Sequence, residues 1–303
     1  MLVRLLKALY GCIQSAKLWY EKLSQELLIL GYVKNKIESC VFNKLITGNE
    51  NYQITIGFHV DDLINTCKNK LLLEEESHRI GNRFGGYKFN INNSLPYLGL
   101  NIIKHENGDI TVNLNEYEDD CNLFWKTERT TSTPATLDLF KLDITSELLN
   151  DNAKQNFHSG VAKLLYLAKR TRPDILTSIS FLASRVHNPT IDDWQKLDRV
   201  FKYLMYYSHK CILYKGGGNI TPIAYSDAAF MVHEECKSRT GVVIYMCDGV
   251  VYTKSKKQSL VSKSSSEAEL IAICDGATAA IGIRNFLLEQ SYNAVPSEEE
   301  LDG

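Results

Sequence analysis

Between Tyr52 and Val60 apolar residues alternate with more polar ones: Tyr52, Ile54, Ile56, Phe58 and Val60 share one side, the period of a half-buried strand. Leu63, Ile64 and Thr66 resume the apolar run just after Asp61 and Asp62, so those two acids stand at or near a hairpin turn. Elsewhere the period lengthens to that of a helix. From about Ser15, Trp19, Leu23, Leu27 and Leu30 make one stripe that stops at Gly31, and "LLLEEESHRIGNRF" reads as a charged helix. A second hairpin, "YLGLNIIKHENGDITVNLN", turns at Asn107-Gly108. Three helices follow, with stripes Val161, Leu164, Leu165 and Ala168; then, after a break before Pro173, Ile175, Ile179, Leu182 and Val186; then Trp194, Leu197, Val200, Phe201 and Leu204. "TPIAYSDAAF" predicts a strand ending near Asp227, "TGVVIYMCDGVVYTKSKKQSL" a hairpin with Asp248-Gly249 at its turn, and "SSSEAELIAICDGATAAIGIRNFLLEQ" a long helix.

Two stretches punctuate these blocks. Thr127 to Thr136, "TERTTSTPAT", reads as a linker, and "KGGGN" at 215–219 as the joint to a last domain. A chain of 303 residues has room for two or three domains, and 44% hydrophobic with 23% charged residues describes an ordinary globular composition. The net charge of −2 excludes a globally basic nucleic-acid binder, leaving local patches: Lys254, Lys256, Lys257 and Lys263, or Lys169, Arg170 and Arg172. Either is also explained as a solvated face. The eight cysteines are scattered without zinc-ligand spacing, which fits free thiols in a reducing intracellular compartment. "HEEC", with His233 and Cys236, has no matching half for a metal site. No signal peptide is evident and no apolar run is read as long enough to span a membrane.

The candidate chemistry lies in the acids. Adjacent aspartates in a hairpin are good turn formers, and they are also hard oxygen ligands of the kind Mg²⁺ requires. Asp227 is either a strand-end acid or a ligand. Glu267 and Glu269 stand three residues after Ser264 and Ser266, so each also suits the acidic half of a capping box.

The order of motifs resembles a known family. "KALYGCIQSAKLWYEKL", the "VDD" of "FHVDDLI", "YLGLNI", "VAKLLYLAKRTRPDI", "NPTIDDWQKLDRVFKYL", "AYSDAAF" with "KSRTGVV", and "SKKQSLVSKSSSEAELIAI" follow one another as in copia-type LTR retrotransposon Pol polyproteins. The resemblance covers nearly the whole chain. It implies an α+β fold: a partial right-hand polymerase palm with an antiparallel sheet and thumb (1–126), a linker (127–150), a helical connection (151–214), and an incomplete ribonuclease H-like α/β domain (220–303).

The resemblance also implies roles. Asp61 would bind catalytic Mg²⁺, with Mn²⁺ as the alternative, and Asp62 would support it; Gly11, Gln14 and Ser15 would lie along template and incoming nucleotide, and "YLGL" would support the primer end. Asp227 and Glu269 match ribonuclease H metal ligands, and Glu267 falls on a position that is not one. Counting on from Pro296, the third acid falls on Asp302. Implied partners are an RNA template, a DNA primer, the RNA:DNA hybrid, nucleoside triphosphates and the rest of the Pol polyprotein, in the cytoplasm within a virus-like particle or in the nucleus, without a membrane. The family's further metal-binding Asp lies upstream of "KALYG" and its fourth ribonuclease H acid downstream of this sequence. The expectation is therefore little or no DNA synthesis by this chain alone, and an incomplete ribonuclease H site. Its alternatives are a non-catalytic nucleic-acid-binding remnant and a decayed transposon product.

Overall fold

The computed structural model describes residues 12–48, 50–86, 88–127 and 129–291. They form two compact units, one built on the chain up to Leu98 with the segment from Asn285, the other running from Gly99 to Arg284. Helices and antiparallel sheets mix in both, an α+β arrangement.

In the first unit, α1 (Ile13–Ile29) places Leu23 and Leu27 in the core. It ends as the glycine predicts: Gly31 takes φ +87°, its N–H donates to the Leu28 carbonyl, and the Tyr32 N–H reaches back to Leu27. This is a Schellman close, which satisfies carbonyls that the helix end would orphan. Strands β1 (Val33–Lys34), β2 (Val41–Ile46), β3 (Tyr52–His59) and β4 (Asp62–Thr66) then pair in that order as one antiparallel sheet. Burial along β3 alternates as read from the sequence, with Ile54, Ile56 and Phe58 inside, except that Val60 falls in the turn and is exposed. Helix α2 (Lys70–Arg83), capped by the Asn69 side chain at Leu71 and Leu72 N–H, packs Ile80 onto the same core. Strand β5 (Ser94–Tyr97) ends this part of the chain.

The second unit opens with the expected hairpin, β6 (Leu100–Lys104) and β7 (Ile110–Asn113), then α3 (Asn115–Phe124). Helices α4 (Asp151–Ala168), α5 (Leu176–Ala183) and α6 (Ile191–Tyr206) carry the three predicted stripes into one core with Phe157, Leu164, Ile179, Leu197 and Phe201 fully buried. Pro173 opens a short 3₁₀ turn before α5, where its missing N–H costs nothing. Thr190 and Asp193 close a reciprocal capping box on α6. Strand β8 (Ile212–Tyr214) joins β7. A three-stranded antiparallel sheet follows, β9 (Ile223–Ala229), β10 (Arg239–Met246) and β11 (Gly249–Lys257) in the order β11-β10-β9, and then α7 (Ser265–Glu289), of which the part up to Arg284 belongs to this unit.

Three expectations are corrected. The β10–β11 turn is centred on Cys247 and Asp248, both at positive φ, because Met246 pairs with Gly249. Gly249 opens β11 because a Cβ there would sit 2.3 Å from Tyr214 Cδ1. Gly249→Ala is expected to cost about 1–3 kcal/mol through overpacking, read as a lower urea midpoint with an unchanged slope. Asp227 lies inside β9, which runs two residues further. Finally, α7 has 25 residues and a window of mean hydropathy 1.4, so one apolar segment does reach spanning length by length and composition. That helix seats Ala268 and Ala272, both fully buried, and joins the sheet through Asp275 to Lys254 at 2.8 Å, while Leu270, Ile273 and Ile281 on its other side are exposed.

Candidate active site: the Asp61–Asp62 turn and the C-terminal acids

His59 pairs with Asp62, so Val60 and Asp61 alone make the connection between β3 and β4. Both aspartates are exposed. The sharpness of the turn falls on Val60, which takes φ +56° without a glycine's freedom. A β-branched residue in that region costs on the order of 1–3 kcal/mol and persists only where its surroundings hold it. The hold comes from α1: the Trp19 indole N–H donates to the Val60 carbonyl at 2.5 Å, while its ring packs on Phe84 with centroids 5.3 Å apart.

Ser15 stands one helical turn before Trp19, on the face of α1 that addresses the Asp61 turn. Gln14 is exposed beside it in the first turn. Thus two of the three residues predicted to lie along the nucleic acid sit on the helix that supports the carboxylates; Gly11 lies outside the described residues. Tyr97, from "YLGL", is within electrostatic reach of the same site: burial pushes its phenol above the ordinary range, and the Asp62 and Cys40 charges add to the shift. The sequence shows Trp19 only as part of an apolar stripe and Tyr97 only as the first residue of "YLGL". The i, i+4 spacing of Ser15 and Trp19 was the available signal.

In the second unit the register separates the predicted acids. Ser226 faces α7, since a Cβ on Gly276 would lie 3.4 Å from the Ser226 Cβ. Side chains alternate along the unbroken β9 register, so Asp227 points to the opposite face. There it lines a cleft of 230 Å³ with Pro173, Thr177, Tyr225 and Ser255. Glu269 belongs to α7, on the other side of the sheet, and is half-buried. Glu267 is occupied with the helix start: its N–H donates to the Ser264 hydroxyl oxygen at 3.2 Å and its carboxylate accepts from Lys263 N–H at 2.6 Å. The capping reading of Glu267 is the one the geometry supports. Asp302 lies outside the described residues. Among the described residues no group of three His, Cys, Asp or Glu side chains is placed to hold a metal ion. Asp61 and Asp62 supply two carboxylates toward the six-oxygen shell of Mg²⁺, whose other positions water and substrate phosphates fill, and a pair of metals would need a further carboxylate.

The basic patches are also altered by the structure. Arg172 is completely buried and bound to Glu118 and Asp174, so it belongs to the core rather than to a surface with Lys169 and Arg170. Lys254 and Lys257 are paired with Asp275 and Glu235. His233 of "HEEC" lies against Phe181 and Arg239, and burial first, then the Arg239 and Lys257 charges, lower it to about 4.

Residues 1–138 match the family model described as reverse transcriptase (RNA-dependent DNA polymerase). Similarity to curated proteins extends over almost the whole chain. A retrovirus-related Pol polyprotein from transposon TNT 1-94 of Nicotiana tabacum is 27% identical over 95% of this chain and 22% of its own length. One from transposon RE2 of Arabidopsis thaliana is 28% identical over 94% of this chain and 19% of its own. A putative transposon Ty5-1 protein of Saccharomyces cerevisiae is 27% identical over 87% of this chain and 84% of its own. The chain belongs to the copia-type retrotransposon Pol polyproteins. It spans about a fifth of the length of the two plant polyproteins, 22% and 19%. No solved structure matches it.

Proposed function

We propose that the first unit is the carboxylate-bearing palm element of a retrotransposon reverse transcriptase, and that the last sheet with α7 is a ribonuclease H-like region cutting RNA in RNA:DNA hybrids. The observation that carries the reading is the Asp61–Asp62 turn, held exposed at the tip of β3 and β4 by the helix that bears Gln14 and Ser15. The substrates are an RNA template, a DNA primer and nucleoside triphosphates, and hybrid recognition rests on duplex shape, phosphates and the 2′-hydroxyl. In this family divalent ions, Mg²⁺ or Mn²⁺, offset triphosphate charge and activate the primer hydroxyl. Asp61 and Asp62 are two of the carboxylates such a centre uses, with Asp62 the supporting one. The remaining ligand is an Asp upstream of "KALYG" in the family pattern. The proposed location is a cytoplasmic virus-like particle.

Asp227, Glu269 and Asp302 are the proposed ribonuclease H acids. Since Asp227 and α7 lie on opposite faces of the three-stranded sheet, this second site is the weaker half of the proposal. Hybrid binding without turnover, falling steeply with salt, would instead support a nucleic-acid-binding remnant.

Primer extension tests the palm assignment. On a primed RNA template with Mg²⁺ or Mn²⁺, the isolated chain is expected to add no nucleotides. Joined to the Pol segment that precedes "KALYG" in its relatives, it is expected to extend the primer, and Asp61→Asn to abolish that extension. Extension by the isolated chain, lost in Asp61→Asn, would show that the site is complete without the upstream carboxylate. Undiminished extension by the joined Asp61→Asn protein would remove Asp61 from the chemistry.

A further inference from the structure

We propose that Trp19 is the positioning residue of the Asp61–Asp62 turn, acting through the Val60 carbonyl; this rests on the palm reading above. A two-residue β-turn normally places glycine or asparagine where φ is positive, and here the position is filled by Val60 at φ +56°. Its side chain is 47% exposed, so no packing of the valine itself explains the conformation. What fixes it is a bond across 41 residues of sequence, from the Trp19 Nε1–H to the Val60 oxygen at 2.5 Å. Pulling that carbonyl toward α1 sets the peptide plane between Val60 and Asp61, and with it the direction in which the Asp61 carboxylate leaves the chain. Phe84, its ring centroid 5.3 Å from that of the indole and itself covered by the Lys22 ammonium at 5.6 Å, keeps the indole from turning away. Ser15 lies on the same face one turn earlier. Trp19 thus couples the helix expected to meet nucleic acid to the carboxylates expected to do the chemistry.

The chemistry of the bond specifies the test. Trp19→Phe keeps an aromatic ring for Phe84 and removes only the N–H donor. Amide hydrogen exchange by NMR on the full chain is expected to accelerate roughly two- to tenfold at Asp61 and Asp62, the worth of one hydrogen bond, with the amides of Leu23, Leu27 and Ile56 unchanged. Val60→Gly removes the steric demand for the clamp, so adding Trp19→Phe in that background is expected to change exchange at the turn far less. Wild-type exchange at Asp61 and Asp62 in Trp19→Phe would overturn the proposal, as would acceleration spread equally over the core amides. Broadening of the Asp61 and Asp62 signals by Mn²⁺, measured on the chain joined to the Pol segment that precedes "KALYG" in its relatives, reports separately on the palm reading. A turn that loosens in Trp19→Phe but is untouched by Mn²⁺ in that joined protein keeps the positioning role and sinks the metal-binding one.

Discussion

Replacing Arg172 by alanine is expected to remove about 3–5 kcal/mol of folding stability, the cost of leaving a buried carboxylate without its cation. Arg172 is 0% exposed and Glu118 1%. The guanidinium donates to Glu118 at 2.9 Å and to the Tyr207 carbonyl at 3.0 Å, and grips Asp174 through Nε and Nη2 at 3.1 and 2.9 Å. Tyr203 adds a hydroxyl to Asp174 at 2.8 Å, and the His209 N–H a bond to Glu118 at 3.1 Å. One side chain therefore ties α3, the 3₁₀ turn, and the end of α6 together.

The pH dependence separates the two acids. Burial pushes Glu118 above the ordinary glutamate range even though Arg172 and the His209 N–H pull it down. A carboxyl with a raised folded pKa binds more protons when folded, so its contribution to stability declines as pH rises from the unfolded value through the folded one. For Asp174 burial also raises, but the hydrogen bond and charge of Arg172 and the Tyr203 hydroxyl outweigh it and hold the group low. Its contribution is present above the ordinary aspartate range and is lost as pH falls through the lowered value. Without Arg172 the Glu118 carboxylate has lost its main compensation. The Arg172→Ala deficit, measured by urea unfolding, is expected to be larger at pH 7 than at pH 5. An equal deficit at both would show that lost packing rather than charge sets the cost. Arg172→Met with Glu118→Leu is expected to recover only the part owed to Glu118, since Asp174 keeps its charge with the Tyr203 hydroxyl but without Arg172.

Arg172 also shows where the sequence misleads. In "LAKRTRPDI" three cations in four positions look like a surface patch, and only the fold reveals that one of them enters the core to meet acids 54 residues before and two after it in sequence. The helical stripes were legible because burial follows a local period: Leu164, Ile179, Leu197 and Phe201 are all where that period puts them. The close of α1 at Gly31 was legible for the same reason, a local backbone requirement. "KGGGN" reads from the sequence as a joint, and its glycines have a backbone reason that the sequence does not show. A Cβ on Gly216 would lie 2.5 Å from the Gly108 carbonyl carbon, and one on Gly218 would lie 2.9 Å from Cys247 Cα, so these glycines serve close backbone approach to distant turns. Short strands such as β1 and β8, of two and three residues, carry too few side chains for a period to show. The candidate site divides likewise: Asp61 and Asp62 were visible as acids interrupting an apolar run, while the partner that shapes their turn, Trp19, read only as one more core residue of a helical stripe.

In the first unit Glu76 has the place that Arg172 has in the second, and its removal is the second large effect. Glu76 is 3% exposed on α2; it accepts from Lys44 on β2 at 2.9 Å, from the Tyr32 hydroxyl at 3.1 Å and from Arg79 at 2.5 Å. Burial raises its pKa, yet the Lys44 and Arg79 hydrogen bonds, with Lys44's charge and Tyr32, outweigh burial and hold it below the ordinary glutamate range. Its stabilisation is therefore present above the unfolded pKa and is lost as pH falls through the lowered folded one. Glu76→Ala is expected to cost about 2–3 kcal/mol at pH 7, less than a fully buried pair because Arg79 stays half in water and gives little. Glu76→Gln keeps the volume and an acceptor but cannot gain or lose charge, so its urea midpoint is expected to be lower than wild type at pH 7 and to converge on it as pH falls below the glutamate range. The alternative, that Glu76 merely fills space, predicts a constant gap between the two curves at every pH. Because Lys44 lies on β2, directly paired through Ile54 with the strand that leads into Asp61, the Gln variant also shows whether a charge beneath the sheet is needed to keep that strand, and the turn at its end, in register.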